Sequence, residues 1–368
     1  MYLDKYRHLY NLRRLRIPEP NRGSAIMRLH RNEKPDNWPK DLLGHIFTSV
    51  PENLLQRYPD AGPFYAKLAQ FLGVPVEKVL VTSGIEEAIR TILTLSCEPG
   101  DTFVSTPGYA MYEVYGQILG LKLAQITYTP DRFLTVAELC AKIPADTRVV
   151  FLPNPSQPVE NCFDVGALGE IAAYCQRRDI LFAVDEAYYF FGAPTALPLT
   201  DRFDNLLVMR SFSKAFGAAS LRLGYVVGSS KALAPLAAFR LAHEANALTM
   251  HAGSVLLDCF DSHVKPSIEA ICQGRDFLRR AAIEHGLFAW GSVSNNVLID
   301  LGDNARMVAV AKVLEAKGIY VKGEFPKPLD HYILVTCGGI DIMREFFDAL
   351  LEALKSQESP CASSSPAV

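Results

Sequence analysis

Lys214 is framed by small side chains. In Ser211-Phe212-Ser213-Lys214-Ala215-Phe216-Gly217-Ala218-Ala219 hydroxyls precede it, Gly and Ala follow it, and Arg222 comes eight residues later. An amine that acts as a nucleophile must lose its proton, and a flat reaction partner must be able to reach it; short neighbours permit both. By itself the pattern is weak, because most lysines are solvated surface charges. Asp185 closes the apolar run Ile180–Val184, where an unpaired carboxylate is costly to bury and needs a cation beside it. Tyr188 follows three residues on. Gly84, in Thr82-Ser83-Gly84-Ile85-Glu86-Glu87, lies between an apolar run and a helical pattern. A helix start there offers free amides and a positive dipole end to an anion, and Ser211, Ser213 and Arg222 can add hydroxyl and guanidinium donors. Tyr109, after Pro107 and Gly108, can stack on a ring.

These parts suit one cofactor chemistry. A lysine can form a Schiff base with an aldehyde, a carboxylate can hold a protonated pyridine nitrogen so that the ring draws electrons, a tyrosine can donate to the ring's phenolate oxygen, and a dianion can sit on the helix start. Together they point to pyridoxal 5′-phosphate. For Asp185 the competing reading is a helix cap or turn residue, and for Gly84 an ordinary strand-to-helix turn.

The elements that must carry these residues read as an α/β fold. Between residues 79 and 228 short apolar runs alternate with helical patterns, as in a parallel sheet covered by helices. Val79–Val81, Phe103–Ser105, Val149–Leu152, Ile180–Val184 and Leu206–Met209 are each followed by a polar cluster. Ligands of open parallel sheets sit at the carboxyl ends of the strands, so these clusters are expected to share one site. In Asp164–Asp179 the residues Leu168, Ile171, Ala172 and Cys175 mark the inner face of a packing helix. From about residue 236 a long helical stretch gives way to short strands (Asn296–Leu301, Ile319–Lys322, Tyr332–Thr336) and a final amphipathic helix, Asp341–Lys355. The organisation predicted is an N-terminal arm (1–24), a large domain (51–235), a smaller domain built from 25–50 and 236–355, and a disordered Ser/Pro/Ala-rich tail (356–368).

Composition narrows the classes. The 368 residues are 49% hydrophobic and 21% charged with a formal charge of −3, enough for a sizeable core and without the basic excess that a nucleic-acid partner demands. The basic N-terminus is not followed by an apolar stretch, and no long uncharged apolar run occurs; the expectation is a cytoplasmic protein with no membrane partner. The eight cysteines are scattered, without C-x-x-C or His at ligand spacing, so reduced thiols and no metal are expected.

The set Asn32-Glu33, Arg57-Tyr58-Pro59-Asp60, Ser83-Gly84, Tyr109, Asn154-Pro155-Ser156-Gln157-Pro158, Asp185-Glu186-Ala187-Tyr188 and Ser211-Phe212-Ser213-Lys214 with Arg222 resembles the fold-type I aminotransferases, in particular the histidinol-phosphate aminotransferase-like branch. The likeness runs in order over roughly residues 25–353. It implies a large domain with a mostly parallel sheet and a smaller α+β C-terminal domain. Lys214 would be the Schiff-base lysine and proton shuttle, and Asp185 the partner of the pyridinium. Tyr188 and Gln157 would bind the ring oxygen, and Tyr109 would stack on the ring. The phosphate would lie on the amides near Gly84, Ile85 and Glu86 with Ser211, Ser213 and Arg222. Tyr58 would reach the phosphate of a neighbouring subunit across a homodimer, and Asn32 would line the substrate site with Tyr109 and Gln157.

Three positions depart from that pattern. The serine usual in the phosphate turn is Ile85, and the usual Pro-Thr-Gly after the Asn/Gln is Pro158-Val159-Glu160. In the C-terminal strand His331-Tyr332-Ile333-Leu334-Val335-Thr336, Leu334 stands where the family has an arginine that grips the substrate carboxylate through a fork. Losing such a pair costs about 1.5–3 kcal/mol. Arg22, Arg31, Lys322 and Arg240 are candidate replacements, with His331 and Tyr332 weaker ones. The leading expectation is an aminotransferase acting on a small polar or phosphorylated amine or keto compound. The same residues permit decarboxylation, elimination, cyclisation or oxidation, and a third reading is a cofactor-binding regulator or scaffold without catalysis.

Overall fold

The computed structural model describes Leu9 and residues 26–127 and 133–358; apart from Leu9 the N-terminal arm, Arg22 included, lies outside the described residues, as does the tail from residue 359. Twelve strands are described: β1 (Met27–Leu29), β2 (Val79–Thr82), β3 (Thr102–Ser105), β4 (Lys122–Gln125), β5 (Thr147–Pro153), β6 (Leu181–Asp185), β7 (Leu206–Ser211), β8 (Gly224–Gly228), β9 (Ala289–Trp290), β10 (Asn296–Asp300), β11 (Ile319–Val321) and β12 (Tyr332–Thr336).

Seven of them form the large sheet in the order β2-β8-β7-β6-β5-β3-β4. Its central strands are continuous apolar runs buried along nearly their whole length (TFVS, TRVVFLP, LFAVD, LLVMRS, GYVVG), the composition of a sheet covered on both faces. Two apolar clusters fill those faces. The sheet is parallel except at β8, which runs antiparallel to β2 and β7. Neither β4 nor β8 stood out in the sequence. The first is a half-exposed edge strand carrying Lys122 and Gln125, and the second is bounded by Gly224 and Gly228.

The reversal of β8 matters for the site. Because β8 opposes β2, its first residue Gly224 pairs with the last residue of β2, Thr82, and with the last of β7, Ser211. Arg222, two residues upstream, is thereby delivered to the edge where the parallel strands end.

In the smaller C-terminal domain β12, β10 and β9 make an antiparallel sheet packed on helices Lys265–Glu284, Asn304–Ala316 and Ile340–Glu358. The last helix continues three residues past Lys355, taking in the start of the expected tail. β1 pairs in parallel with β11, which ties the segment after the arm to this domain. Helix starts are capped as the sequence allows: Asp164, Asn246 and Asp303 each accept a first-turn amide, a contribution of about 1 kcal/mol apiece.

Candidate active site

A cleft of about 420 Å³ opens at the carboxyl edge of the large sheet, and Lys214, Asp185, Tyr188, Gln157, Tyr109 and Arg222 are among the residues lining it. Lys214 follows β7. Its Nζ donates to the carbonyl of Arg31 at 3.2 Å and lies 5.7 Å from the centre of the Tyr188 ring. Burial lowers its pKa to about 8; Glu33 and Asp185 oppose the shift, while Lys322 and Arg222 add to it. The ammonium is therefore close to losing its proton near neutral pH, as a nucleophilic or proton-shuttling amine requires.

Asp185 ends β6 and is 6% exposed. The Tyr112 hydroxyl donates to its Oδ2 at 2.6 Å, and the Ala187 amide to its Oδ1 at 3.0 Å. Burial pushes its pKa up, with those two hydrogen bonds and the charge of Lys214 acting against it. The carboxylate does brace a turn, as the competing reading held, and it also lines the cleft. Tyr112 was missed by sequence reasoning. The signal available was its spacing of three from Tyr109 at a helix start, which puts both rings on one side of the first turn; they meet edge to face at 6.4 Å.

Gly84 opens the helix Gly84–Ser96 with φ +73°. The left-handed backbone favours glycine, and a Cβ there, 2.8 Å from Nη2 of Arg222, would push the guanidinium from its place. Arg222 also takes a left-handed backbone, φ 52°, and faces Glu86 at 3.8 Å. Ile85 is buried at the cleft wall. Across the strand ends, the Ser213 amide donates to Ser211 Oγ at 3.0 Å. First-turn amides, two hydroxyls and a guanidinium thus converge on one end of the cleft, the donor set an anionic group needs.

At the other side Asn32, Gln157 and Tyr188 form a triangle. Asn32 Nδ2 donates to Gln157 Oε1 at 2.6 Å and contacts the Tyr188 hydroxyl at 3.0 Å; Tyr188 donates to Gln157 Oε1 at 3.1 Å. The buried Nε2 of Gln157 has no partner among the described residues. Such a group costs roughly 1–3 kcal/mol when left unsatisfied, and Gln157 is among the residues that line the cleft.

A family model for class I and II aminotransferases matches residues 27–341. The chain belongs to this family. A curated relative, histidinol-phosphate aminotransferase 1 of Carboxydothermus hydrogenoformans, is 29% identical over 340 residues, 91% of this chain and 95% of that protein. Among solved structures, histidinol-phosphate aminotransferase from Sinorhizobium meliloti in complex with pyridoxal-5′-phosphate superposes with a TM-score of 0.82 at 24% identity, covering 91% of this chain and 93% of that one. L-threonine-O-3-phosphate decarboxylase from Porphyromonas gingivalis superposes at 0.75 with 22% identity over 90% of this chain and the whole of that one. Both likenesses establish the shared fold.

On the small-domain side of the cleft this aminotransferase-family chain has Leu334 at the position expected to hold an arginine. Leu334 is 1% exposed and lies on the same face of β12 as Thr336, whose hydroxyl touches Asn32. Lys322 is bridged directly to Leu334, and residues opposite one another in an antiparallel pair project to the same face. Lys322 therefore points to the side from which the arginine is missing. Its ammonium forms no ion pair among the described residues, burial lowers its pKa, and its charge reaches Lys214. Arg31 also lines the cleft. Arg240 does not: it pairs with Glu244 at 3.0 Å against a separate hollow. His331 lies between Asp300 and Asp330 at 3.5 and 3.6 Å, and Tyr332 packs on its ring.

Tyr58 is 85% exposed and stacked on His243, outside the cleft of its own chain. Glu160, where the family pattern has glycine, is buried and accepts three hydrogen bonds from Ser292 and Val293. The described cysteines are free. Among the described residues no group of His, Cys, Asp or Glu is arranged to hold a metal, and no helix is long and apolar enough to cross a membrane.

Proposed function

We propose that this chain is a pyridoxal 5′-phosphate-dependent aminotransferase acting on a small polar or phosphorylated amine or keto compound. The observation that carries the reading is the pairing of a lysine of lowered pKa with a buried carboxylate across one cleft. The unpartnered Gln157 amide and the glycine-lined anion pocket fit the cofactor's ring oxygen and phosphate.

Bound, the group supplies an aldehyde that condenses with amines and a protonated ring that draws electrons from the substrate Cα. Asp185 would hold a proton on the ring nitrogen, and Tyr112 fixes the carboxylate for that task. Gln157 Nε2 would donate to the ring oxygen, Tyr188 would do so on turning its hydroxyl away from Gln157 Oε1, and Asn32 would orient both. Tyr109 covers one ring face. The amides near Gly84, Ile85 and Glu86, with Ser211, Ser213 and Arg222, hold the phosphate. Lys214 Nζ would be the amine that holds the aldehyde, and its lowered pKa would let it accept and return a proton at the substrate Cα. Lys322 replaces the absent arginine as the cation for a substrate anion. A lysine is a point charge rather than a fork, which favours a phosphate or other compact anion over tight bidentate carboxylate recognition.

The proposal includes a cytoplasmic homodimer. Tyr58, Leu55, Phe47, Phe239 and Leu241 are exposed, as side chains that meet a second copy would be, and Tyr58 would complete that copy's phosphate pocket. The competing reading is a non-transaminating reaction such as decarboxylation, favoured by Leu334.

The test is titration of the yellow, cofactor-loaded protein with L-glutamate, L-alanine, phosphorylated amino alcohols and guanidino amino acids. Transamination bleaches the yellow band with one equivalent of keto product, and a keto acid restores it. Release of carbon dioxide or ammonia with no transferable amino group left on the enzyme overturns the reading in favour of the competing one.

A further inference from the structure

Glu160 is a carboxylate 5% exposed with no basic partner among the described residues. Burying such a charge is expensive unless hydrogen bonds satisfy it. Its Oε2 accepts from the Ser292 amide at 2.5 Å and the Ser292 hydroxyl at 2.9 Å, and its Oε1 from the Val293 amide at 3.1 Å. All three donors belong to the loop between β9 and β10, in the small domain.

Two features carry the effect of this clasp to the cleft. The turn that bears Glu160 is braced as a unit: the Ser156 amide donates to the Asn161 carbonyl at 3.0 Å, the Asn161 amide returns to Ser156 Oγ at 3.0 Å, and Ser156 Oγ donates to the Val159 carbonyl at 2.5 Å. Gln157 lies inside that turn. On the other side, Asn295, two residues beyond Val293, donates from Nδ2 to the Asn32 carbonyl at 3.2 Å and accepts from the Cys337 amide at 2.8 Å. Asn32 then reaches Gln157 at 2.6 Å. The path from Glu160 through Val293, Asn295, Asn32 and Gln157 back to Glu160 is closed, and it crosses from one domain to the other twice. Arg275, also buried, steadies the same loop by donating to the Ser294 carbonyl at 3.0 Å and the Phe191 carbonyl at 3.1 Å.

We propose that Glu160 is a positioning residue: by clasping the small-domain loop Gly291–Asn295 it sets the mutual placement of Gln157 and Asn32, and with it the donor that Gln157 presents to the cofactor's ring oxygen. The second half of this statement rests on the function proposed above; the first does not. A turn without a carboxylate at this position would lack the clasp, and the Gln157 side chain would keep only its bonds to Asn32 and Tyr188.

The experiment has two arms, run on wild type, Glu160→Ala, Glu160→Gln and Ser292→Ala. The milder substitutions keep the test open if the first variant fails to fold. Glu160→Gln keeps the volume but offers one acceptor atom in place of two.

In the cofactor-free protein, hydrogen exchange is expected to rise in Glu160→Ala not only at residues 156–161 and 291–295 but also at the segment around Asn32, with the other two variants in between. Faster exchange confined to the two loops in contact overturns the positioning role, whether or not the cofactor reading holds. In the loaded protein the pH midpoint of the visible band is expected to rise by about one unit in Glu160→Ala, because an oxygen that loses a donor holds its proton more tightly. The turnover number is expected to fall by about 10- to 100-fold, as misplacement by an ångström does. A lowered melting temperature with the midpoint and turnover of wild type would mark Glu160 as merely structural, as would the same midpoint shift in Leu350→Ala, a core variant far from the clasp. A wild-type protein that takes up no cofactor contradicts the proposed function instead, and the exchange arm then decides the role of Glu160.

Discussion

The two walls of the cleft follow different rules. The wall built on the large sheet presents its chemistry at strand ends: Asp185 closes β6, Ser211 closes β7, Lys214 follows it, and Gly84 and Arg222 meet where β2 and β8 oppose each other. Each of these residues is placed by the backbone of a buried strand. Behind the small-domain side of the cleft lie Leu334, at the position expected to hold an arginine, Lys322 bridged to it, and a loop held by a buried carboxylate. On the function proposed above, the first wall would hold the cofactor and the second side would meet the substrate. The proposal thus assigns cofactor binding and substrate choice to different elements.

Substitutions on the two walls should separate accordingly. Lys214→Ala is expected to lower turnover by roughly four orders of magnitude or more, as loss of a covalent catalyst does, measured as product formed per loaded site. Asp185→Ala should weaken cofactor retention by about 10²- to 10³-fold, the consequence of leaving a charged partner unpaired in a buried site; equilibrium dialysis against the cofactor measures it. On the opposite wall Lys322→Ala should raise KM for an anionic substrate by about 10- to 100-fold while cofactor affinity stays within about twofold. Equal losses in both quantities would break the separation of the walls. Leu334→Arg should sharpen it by improving the use of α-amino acids bearing a free carboxylate.

A smaller effect is expected from pH. With Lys214 at about 8, the neutral fraction of the amine, and so the rate of aldehyde capture by cofactor-free protein, should fall about tenfold for each unit below that value and level off above it; stopped-flow absorbance follows the reaction. Smallest of all, Tyr112→Phe should reduce turnover by about 2- to 10-fold, the worth of one neutral donor to Asp185, without moving the KM of the amine.

The same contrast explains what could be read from the sequence. Lys214, Asp185, Gly84 and Arg222 were legible because a strand end is a local signal, an apolar run broken by polar residues, and several such ends in order imply a shared edge. Arg222 needed only a strand after it to arrive there. Tyr112 was hidden because its partner lies 73 positions away and a buried tyrosine in a helix looks like core. Lys322 could be placed beside Leu334 only once the register between β12 and the residue after β11 was known. Arg240, attractive by charge, pairs instead with Glu244 in its own stretch of chain. For Glu160 the sequence displayed an anomaly without its explanation, because the donors that justify a buried carboxylate lie 132 and 133 residues away.

The claim on which the rest depends is that Lys214 is the covalent anchor. The direct measurement is borohydride reduction of the cofactor-loaded protein followed by peptide mass analysis. One cofactor-derived adduct, on the peptide containing Lys214 and lost when the protein is first treated with an effective amine donor, is the result expected. An adduct on Lys322, Lys34 or another lysine, or a protein that binds the cofactor and forms no adduct, would contradict the account.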